Sequence, residues 1–374
     1  MSLSLNGTDG VTFNDGSEQW AAASPIGTKN LIINGDMNIA QRGTSSTGVT
    51  SGGYYTVDRM RVGGGVLGTW TVSQDTDVPS GQGFSNSMKL SCTTTSSLGA
   101  SDTFLINQYL EGQNLQHIKK GTSSAESLTA SFWVKTNKTG TYVLELRDND
   151  NSRTINKTFT IDAADTWEKK TLTFDGDTTG ILDNDNARSF DFNIWLTAGT
   201  DYTSGTLQTT WGTQTNANRA VGLTVNLADS TSNYINITGV QLEVGDTATP
   251  FEVMPYDMNL ARCQRYYVKY TASSGGATYA YSNAQNGGAF WQSIIYLPTT
   301  MRTTPSLSSS GTFSFHINGL STRDVSSVGI SSNITNGNVV RISGSKTSGD
   351  TTGLMGQLMQ RSGSSGYIDF SAEL

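Results

Sequence analysis

The chain has 374 residues, of which 35% are hydrophobic and 15% charged, and its formal net charge at pH 7 is −7. No stretch approaches the roughly 18 consecutive apolar residues of a membrane helix, so we expect no membrane insertion. The negative charge argues against nucleic acid as a partner, since phosphate binding requires clustered Lys and Arg. With 41 glycines and only 6 prolines, the composition favours short strands joined by many turns.

Residues 1–29 are predicted to form an arm, because they carry too few apolar residues to bury a core of their own. Ser2 to Leu5 and Val11 to Phe13 are predicted as two short strands around an Asn-Gly turn. Such an arm is either an attachment point for another protein or a loose tail, and the composition leaves both open.

Residues 30–254 are predicted to form a β-sandwich, because short alternating runs are separated by Gly, Asn or Asp at the spacing typical of that fold. The clearest inward sets are Leu128, Ala130, Phe132 and Val134 in one run, and Tyr142, Leu144 and Leu146 in the next. Trp133 lies outward by the same alternation, facing either a neighbouring subunit or a crossing segment. The predicted strands are Leu31–Ile33, Asp58–Val62, Gly68–Ser73, Ser87–Cys92, Thr103–Tyr109, Ser127–Lys135, Gly140–Arg147, Thr154–Ile161, Trp167–Phe174, Phe190–Thr197, Val221–Asn226 and Tyr234–Val244.

A junction follows at residues 237–267. Pro250 and Pro255 favour an extended segment, and Asp257 is predicted as the N-cap of a short helix at 257–266. A second, smaller β-rich domain is therefore predicted over 255–374. Its predicted strands are Tyr266–Thr271, Tyr279–Tyr281, Phe290–Tyr296, Phe313–Ile317, Val325–Ile330, Val339–Ser343 and Tyr367–Glu373.

Two segments resemble tail-fibre and receptor-binding virion proteins of tailed bacteriophages. The segment 237–267, ITGVQLEVGDTATPFEVMPYDMNLARCQRYY, is similar to the junction of those proteins, and NLIINGDMNIAQRG at 30–43 is similar to their opening strand. The second segment also resembles jelly-roll carbohydrate-binding modules, as do SLTASFWVK and TYVLELRD. The resemblance implies an all-β protein: a jelly-roll β-sandwich followed by a smaller β-rich C-terminal domain entered by one short helix.

The same resemblance implies a virion protein, a phage tail fibre or tip, made in the bacterial host cytoplasm and acting at the host cell surface. Its implied partners are host-surface glycan, other virion proteins reached through the N-terminal arm, and further copies in a homotrimer. We expect no enzymatic activity, because neither His117 nor His316 accompanies a recognisable nucleophile. A capsid decoration protein with a mainly structural role is the alternative. A polysaccharide depolymerase using paired carboxylates is the second alternative.

Saccharide sites combine an aromatic ring, which covers the apolar face of a pyranose, with planar polar groups for the hydroxyls. The loop-like aromatics with such neighbours, and hence the predicted carbohydrate-binding residues, are Tyr54, Tyr55, Tyr202 and Trp211. A second group, in the C-terminal part, consists of Tyr279, Tyr281 and Trp291. For any one of these residues, packing in a core is favoured over ligand binding, whereas a cluster of them at one end of the sandwich would favour a binding site.

No cofactor is predicted. The acidic run Asp175 to Asp185 imitates a calcium loop, but Asn186 stands where a bidentate Glu would be needed, and a polar hairpin loop is favoured. The jelly-roll resemblance implies a structural calcium near Asp36, yet Thr238 and Gly239 replace the acidic residue of the last strand. No metal ligand is therefore assigned.

The predicted helix offers apolar surface on more than one side. Packing between the two domains and three-fold association of helices both remain open, and the residues predicted at an oligomer interface are Met258, Leu260, Ala261 and Tyr266. Cys92 and Cys263 lie in different domains and are predicted to be buried free thiols.

Overall fold

The computed structural model describes residues 11–12, 18–19, 29–272, 278–285, 290–316, 323–325, 327–335, 337–345, 355–361 and 365–374. Within these ranges the protein is almost entirely β, as predicted. Its two α-helices are α1 (Thr200–Thr203) and α2 (Tyr256–Gln264). Its strands are β1 (Val11–Thr12), β2 (Glu18–Gln19), β3 (Ser45–Val49), β4 (Arg61–Gly64), β5 (Thr69–Asp75), β6 (Ser87–Thr94), β7 (Thr103–Glu111), β8 (Leu128–Thr136), β9 (Gly140–Asp148), β10 (Arg153–Ile161), β11 (Glu168–Phe174), β12 (Arg188–Ala198), β13 (Gly212–Thr213), β14 (Tyr234–Val244), β15 (Tyr267–Ala272), β16 (Thr278–Gln285), β17 (Phe290–Tyr296), β18 (Ser306–Ser310), β19 (Phe313–His316), β20 (Arg323–Val325), β21 (Gly329–Thr335), β22 (Val339–Ser345), β23 (Met355–Gln360) and β24 (Gly366–Ser371).

A jelly-roll β-sandwich of two six-stranded antiparallel sheets forms the larger part. The front sheet has the order β13-β10-β9-β12-β7-β4, and the back sheet has the order β11-β8-β14-β6-β5-β3. The inward sets predicted on β8 and β9 are all buried in the core between the sheets. There Phe159 packs on Phe132 and Tyr142, with ring centroids 5.2 and 5.6 Å away. The period-two alternation therefore identifies the inner faces correctly.

The segment Leu31–Ile33, predicted as a strand, is not one, and neither is Val221–Asn226. Next to the first segment, the side chain of Asn34 replaces ladder bonds: its Nδ2 donates to the carbonyls of Ile39 and Asp58, and its Oδ1 accepts from the amide of Ile39. Asn side chains often compete with regular backbone pairing in this way. The turn also requires a positive φ of 60° at Asn34 and at Met37.

Trp133 points outward from β8, as its alternation predicts, and lies beneath a crossing segment. Its side chain lines a cavity of about 520 Å³ together with those of Phe84, Phe251 and Val253. Phe84 and Phe251 contact each other edge to face at 5.1 Å. The residues after β14 therefore cover this part of the back sheet.

The C-terminal part contains a small sheet, ordered β15-β24-β18, and a large sheet, ordered β20-β19-β23-β16-β17-β22-β21. Trp291, a candidate saccharide-binding aromatic within the predicted strand Phe290–Tyr296, is fully buried in the core of this part. Strand β18 was not predicted, because its sequence SLSSS is polar; it lies at the edge of the small sheet, paired with β24.

Helix α2 begins after Pro255, which takes the N-cap position in place of the predicted Asp257. Asp257 lies in the first turn, where a carboxylate favours the positive end of the helix dipole. Both cysteines are free and buried, which confirms the prediction made for them.

Buried ion pairs join the sandwich to the C-terminal sheets. Arg59 pairs with Glu373, donates to the carbonyl of Tyr109 and stacks on Tyr266 at 3.6 Å. Glu111 accepts from the guanidinium of Arg265 at 2.9 and 2.7 Å and from the hydroxyl of Tyr266. The last residues of the chain therefore pack against the sandwich.

The N-terminal arm is described only at β1 and β2, which pair with each other. The predicted strand Ser2 to Leu5 lies outside the described residues. No helix in the described part of the chain is long and apolar enough to cross a membrane.

Candidate functional site

The outward face of the front sheet carries a ladder of polar side chains. In one cross-strand row Asn193 lies opposite both Asn107 and Glu145, and Asn107 lies opposite Arg61. In the next row Asp191 lies opposite Tyr109 and Arg147. We call this surface the polar face; its residues are Arg61, Asn107, Tyr109, Glu145, Arg147, Asp191 and Asn193.

Residues 199–224, the covering segment, lie over one half of the polar face. Tyr202 packs its ring on Trp195 at 5.5 Å, and Arg219 donates to both oxygens of Glu145 at 2.7 and 2.8 Å. Gln208 accepts from the amide of Asn156 and donates to the carbonyl of Thr154, both on β10. Toward β4, the partly exposed Arg61, Arg147 and Arg188 mark where the polar face reaches solvent.

The two buried carboxylates of the polar face are fully engaged. Glu145 binds Arg219, and Asp191 accepts two bonds from Arg188 at 2.7 and 2.6 Å. Burial alone would lower the pKa of Arg188 and of Arg219, but the adjacent carboxylates outweigh it and raise both pKa values. Arg188 also stacks on Tyr109 at 3.5 Å. The remaining polar groups of the polar face are therefore the ones that could contact a ligand.

Several atoms in the other polar groups of the polar face have no hydrogen-bond partner. Among the described residues, the buried amide oxygens of Asn107 and Asn193 and the Nε of Arg147 accept or donate no hydrogen bond. Arg147 has only a 3.6 Å ion pair with Asp191. Burial, together with the charges of Arg219 and Arg188, lowers the pKa of Arg147. A buried polar group without a partner costs about 1–3 kcal/mol, so a hydrogen-bonding ligand that reached these enclosed atoms would recover free energy.

The four predicted carbohydrate-binding aromatics are partly buried and contact different neighbours. Tyr54 lies beside Arg42 and Arg59 at the junction, and the hydroxyl of Tyr55 donates to the carbonyl of Ser51. Tyr202 covers Trp195. Trp211 follows in the covering segment and donates its Nε1–H to the carbonyl of Asp175 at 2.8 Å.

Two of the four, Tyr202 and Trp211, therefore belong to the segment over the polar face, and none is a freely exposed platform. The prediction that they bind carbohydrate is not tested by these positions.

The predicted interface residues divide into two groups. Met258 is 51% exposed, and Ala261 is exposed as well. Leu260 packs partly against a buried cluster that includes Cys263, while Tyr266 is 1% exposed. The position of Tyr266 corrects the expectation for that residue, because a side chain enclosed between the two parts of one chain offers no surface to another copy.

The acidic residues considered for calcium are held by the protein itself. Asp177 accepts from Arg153 at 2.7 and 2.9 Å and forms an ion pair with Lys120 at 3.0 Å. Asp36 accepts from the side chains of Asn38 and Asn259. In the described part of the chain, no group of three or more His, Cys, Asp or Glu residues is arranged to hold a metal ion.

The sequence carries a signal for the polar face. Strand β12 alternates Phe190, Phe192 and Ile194 on its inner face with Asp191 and Asn193 on its outer face. Planar polar residues repeated on one face of a central strand are unusual, because an ordinary solvent-exposed face does not need them. The pairing with Asn107 is a matter of register, which the sequence alone did not fix.

Fold and site together define an all-β protein with a jelly-roll sandwich, on whose outer face several polar atoms have no hydrogen-bond partner among the described residues. No protein-family model matches the sequence, and no curated protein matches it.

Solved structures resemble parts of the chain. A putative sugar-binding protein from Bacteroides thetaiotaomicron aligns over 58% of this chain and 100% of its own, with 14% identity and a TM-score of 0.33. TmCBM61, solved with β-1,4-galactotriose, aligns over 58% and 99%, with 9% identity and a TM-score of 0.30.

The enzymatically active domain of tailspike protein 4 from bacteriophage CBA120 aligns over 57% of this chain, with 14% identity and a TM-score of 0.29. The alignment spans 21% of that tailspike chain. At this level of similarity, the alignments assign neither a family nor a ligand to the protein.

Proposed function

We propose that the protein is a non-catalytic glycan-binding protein and that the polar face of its sandwich contacts the glycan. The observation that carries the proposal is the set of partnerless polar atoms in adjacent rows, namely the amide oxygens of Asn107 and Asn193 and the Nε of Arg147. Saccharide hydroxyls both donate and accept, so one ligand class can meet amide oxygens and guanidinium N–H groups together.

The dimensions of the polar face suit an oligosaccharide. The row from Arg61 through Asn107 and Asn193 to Glu145 crosses four adjacent strands, which spans about 14 Å at the usual strand spacing. Arg61 makes no side-chain hydrogen bond or ion pair within the described residues; its guanidinium lies 5.4 Å from the ring of Tyr109. An extended chain of sugars would meet the donors of Arg61 at one end of the row, the amides of Asn107 and Asn193 in its middle, and the Arg219–Glu145 ion pair at the other end.

We further propose that this binding serves attachment, with the protein acting as a phage tail fibre or tip. Support comes from the segments 30–43 and 237–267, which resemble those of phage virion proteins. The arm at 1–29 would contact other virion proteins, and copies in a homotrimer would add weak individual contacts into avidity. Met258 and Ala261, both exposed on α2, would be available to a neighbouring copy.

The test is a glycan array probed with the full-length protein and with Arg61→Ala and Arg147→Ala. Neither arginine is held by a close internal hydrogen bond, so both variants should keep the wild-type melting temperature while binding at least tenfold more weakly, about 1.4 kcal/mol. Arg361→Ala, which removes an exposed arginine paired with Asp324 on the C-terminal sheets, is the control and should bind normally.

Other outcomes would point to the alternatives. Release of reducing ends from a bound polysaccharide would identify a depolymerase, and binding to capsids without binding to any glycan would identify a decoration protein. Unchanged array binding by both arginine variants would contradict the assignment of the site to the polar face.

A further inference from the structure

The large C-terminal sheet exposes a group of apolar side chains on one face. Tyr281 is 73% exposed, Tyr296 74%, Met355 66% and Ile294 46%. Neighbouring positions on the same strands, including Ala280, Trp291 and Ile295, point into the core instead. The exposed residues therefore form the outward set of three adjacent strands, β23, β16 and β17. A contiguous exposed apolar patch of this kind usually marks a binding surface.

This surface is concave, and four tyrosines are among its twelve lining residues. A cavity of about 660 Å³ is lined by Tyr270, Tyr279, Tyr281, Tyr296, Gln292 and Arg341, among others. Two of the tyrosines are tied to the protein: the hydroxyl of Tyr270 donates to the carbonyl of Tyr296, and that of Tyr279 donates to Gln360. The rings of Tyr281 and Tyr296 remain open to solvent. We call this surface the tyrosine cleft.

The charge of the tyrosine cleft selects among ligands. Among the described residues, its lining contains one cation, Arg341, and no carboxylate. Arg341 lies opposite Ile294 in the register of β22 and β17, so the guanidinium is adjacent to the apolar patch. A partly exposed arginine beside aromatic rings suits a ligand that has both an apolar face and an anionic group.

We propose that the tyrosine cleft is a second saccharide site and that it binds an acidic saccharide. The rings of Tyr281 and Tyr296 would cover the apolar face of a pyranose, the amide of Gln292 would bind a hydroxyl, and Arg341 would bind the carboxylate or other anionic substituent. The inference shares its ligand class with the proposed function but rests on different residues in a different part of the chain, so each can fail alone.

A second copy of the chain is a less suitable occupant. In a two-fold interface the same patch meets itself, and the described residues that line this patch include an arginine but no carboxylate to receive it. The two Arg341 guanidinium groups would then enter one interface without a counter-charge, which costs free energy.

The experiment compares the full-length wild type with Tyr281→Ala and Arg341→Gln on an array of neutral and acidic oligosaccharides. Tyr281→Ala should weaken binding to acidic members at least tenfold. Arg341→Gln should reduce the preference for an acidic glycan over the same glycan with its carboxylates methyl-esterified. Tyr256→Ala is the matched control, because Tyr256 is 63% exposed on α2 and lies outside the cleft; it should bind as the wild type does.

Each contrary result has a distinct meaning. If Arg61→Ala removes all binding while Tyr281→Ala changes nothing, the inference is overturned and the proposed function stands. If Tyr281→Ala alone removes binding, the inference stands and the polar face is not the site. A wild type that binds no acidic member overturns the inference. A fall in particle mass on light scattering of Tyr281→Ala would show an interface between copies, which also overturns it.

Discussion

Glu111 is the residue that most clearly joins the sandwich to the C-terminal sheets. Burial alone would raise the pKa of its carboxyl, but hydrogen bonds from Arg265, Tyr266 and Gln113 outweigh that effect and lower the pKa below its usual range. A carboxylate whose pKa is lower in the folded than in the unfolded state stabilises the fold above its unfolded pKa. That contribution is lost as the pH falls through the folded pKa.

Glu111→Gln should therefore lower the free energy of unfolding by about 2 kcal/mol at pH 7, since hydrogen bonds to charged groups contribute about 1.5–3 kcal/mol. The difference from the wild type should begin to shrink as the pH falls through the unfolded pKa of about 4.3, and it should be lost once the pH is below the lowered folded pKa of Glu111. Urea unfolding at pH 7 and pH 3 measures both values.

Glu126→Gln is the control for this experiment, because Glu126 pairs with Lys119 at the surface. Exposed pairs contribute about 0–1 kcal/mol. A Glu111→Gln deficit that stays constant from pH 7 to pH 3 would contradict the ionic account.

At this scale the sequence identifies which residues are polar and face outward, but not which of them pair. Glu145 meets Arg219, 74 positions away, and Glu111 meets Arg265, 154 positions away. No local pattern encodes partners at such separations. The sequence places Asn193 and Asn107 on an outer face. That their amide oxygens have no hydrogen-bond partner is seen only once the strands are in register.

Among the elements, the turn at residues 34–37 explains why the adjacent segment Leu31–Ile33 has the sequence pattern of a strand but does not form one. The carbonyl of Gly35 accepts from the amide of Val240 at 2.9 Å, where β14 is irregular. A Cβ on Gly35 would lie 2.0 Å from the carbonyl oxygen of Val240. The glycine is therefore required by the close approach of two backbones.

Gly35→Ala should destabilise the protein by about 1–3 kcal/mol, the usual cost of an overpacked site, and more if the backbones cannot separate. Thermal unfolding followed by circular dichroism measures the change. Gly65→Ala is the control, because the nearest atom to its added Cβ would be 3.8 Å away. Equal melting temperatures for the two variants would contradict the proposed role of Gly35.

Elements with a strong hydrophobic periodicity could be predicted from the sequence. The alternations of β8 and β9 place their inner residues correctly, and α2 is displaced by about one residue from its predicted start. Strands with weak or polar patterns were missed, including β18 and β23. Their positions depend on pairing with β24 and β16 respectively, which is tertiary information.

On the scale of the whole molecule, two cores are joined by buried charges. Arg59 is fully buried and depends on Glu373 for its counter-charge. Removing one partner of a buried pair typically costs about 3–5 kcal/mol, because it leaves the other charge uncompensated. The two cores should therefore unfold together in the wild type.

Calorimetry should show a single transition for the wild type, with equal calorimetric and van't Hoff enthalpies. Glu373→Ala should lower the melting temperature and separate a C-terminal transition from that of the sandwich. Asp324→Ala, which removes an exposed partner of Arg361, should leave one transition. Two transitions in the wild type would mean that the buried pairs do not couple the cores.

The sandwich as a whole was foreseeable, because its strands carry clear periods and its segments resemble known jelly rolls. The boundaries proposed at 29–30 and 254–255 remain predictions. Neither the covering segment nor the tyrosine cleft could be foreseen, because both arise where segments distant in the sequence come together.

The buried contacts of Glu373 and Glu111 also determine what a protease could achieve. Val253 is 80% exposed in the connection between β14 and α2, so this stretch offers a site for cleavage. Because Arg59, Arg265 and Tyr266 hold the two parts without the covalent link, a chain cut at Val253 would remain one particle and would separate only on denaturation. The peptide connection determines the order of the two parts along the chain, and the ion pairs keep them together.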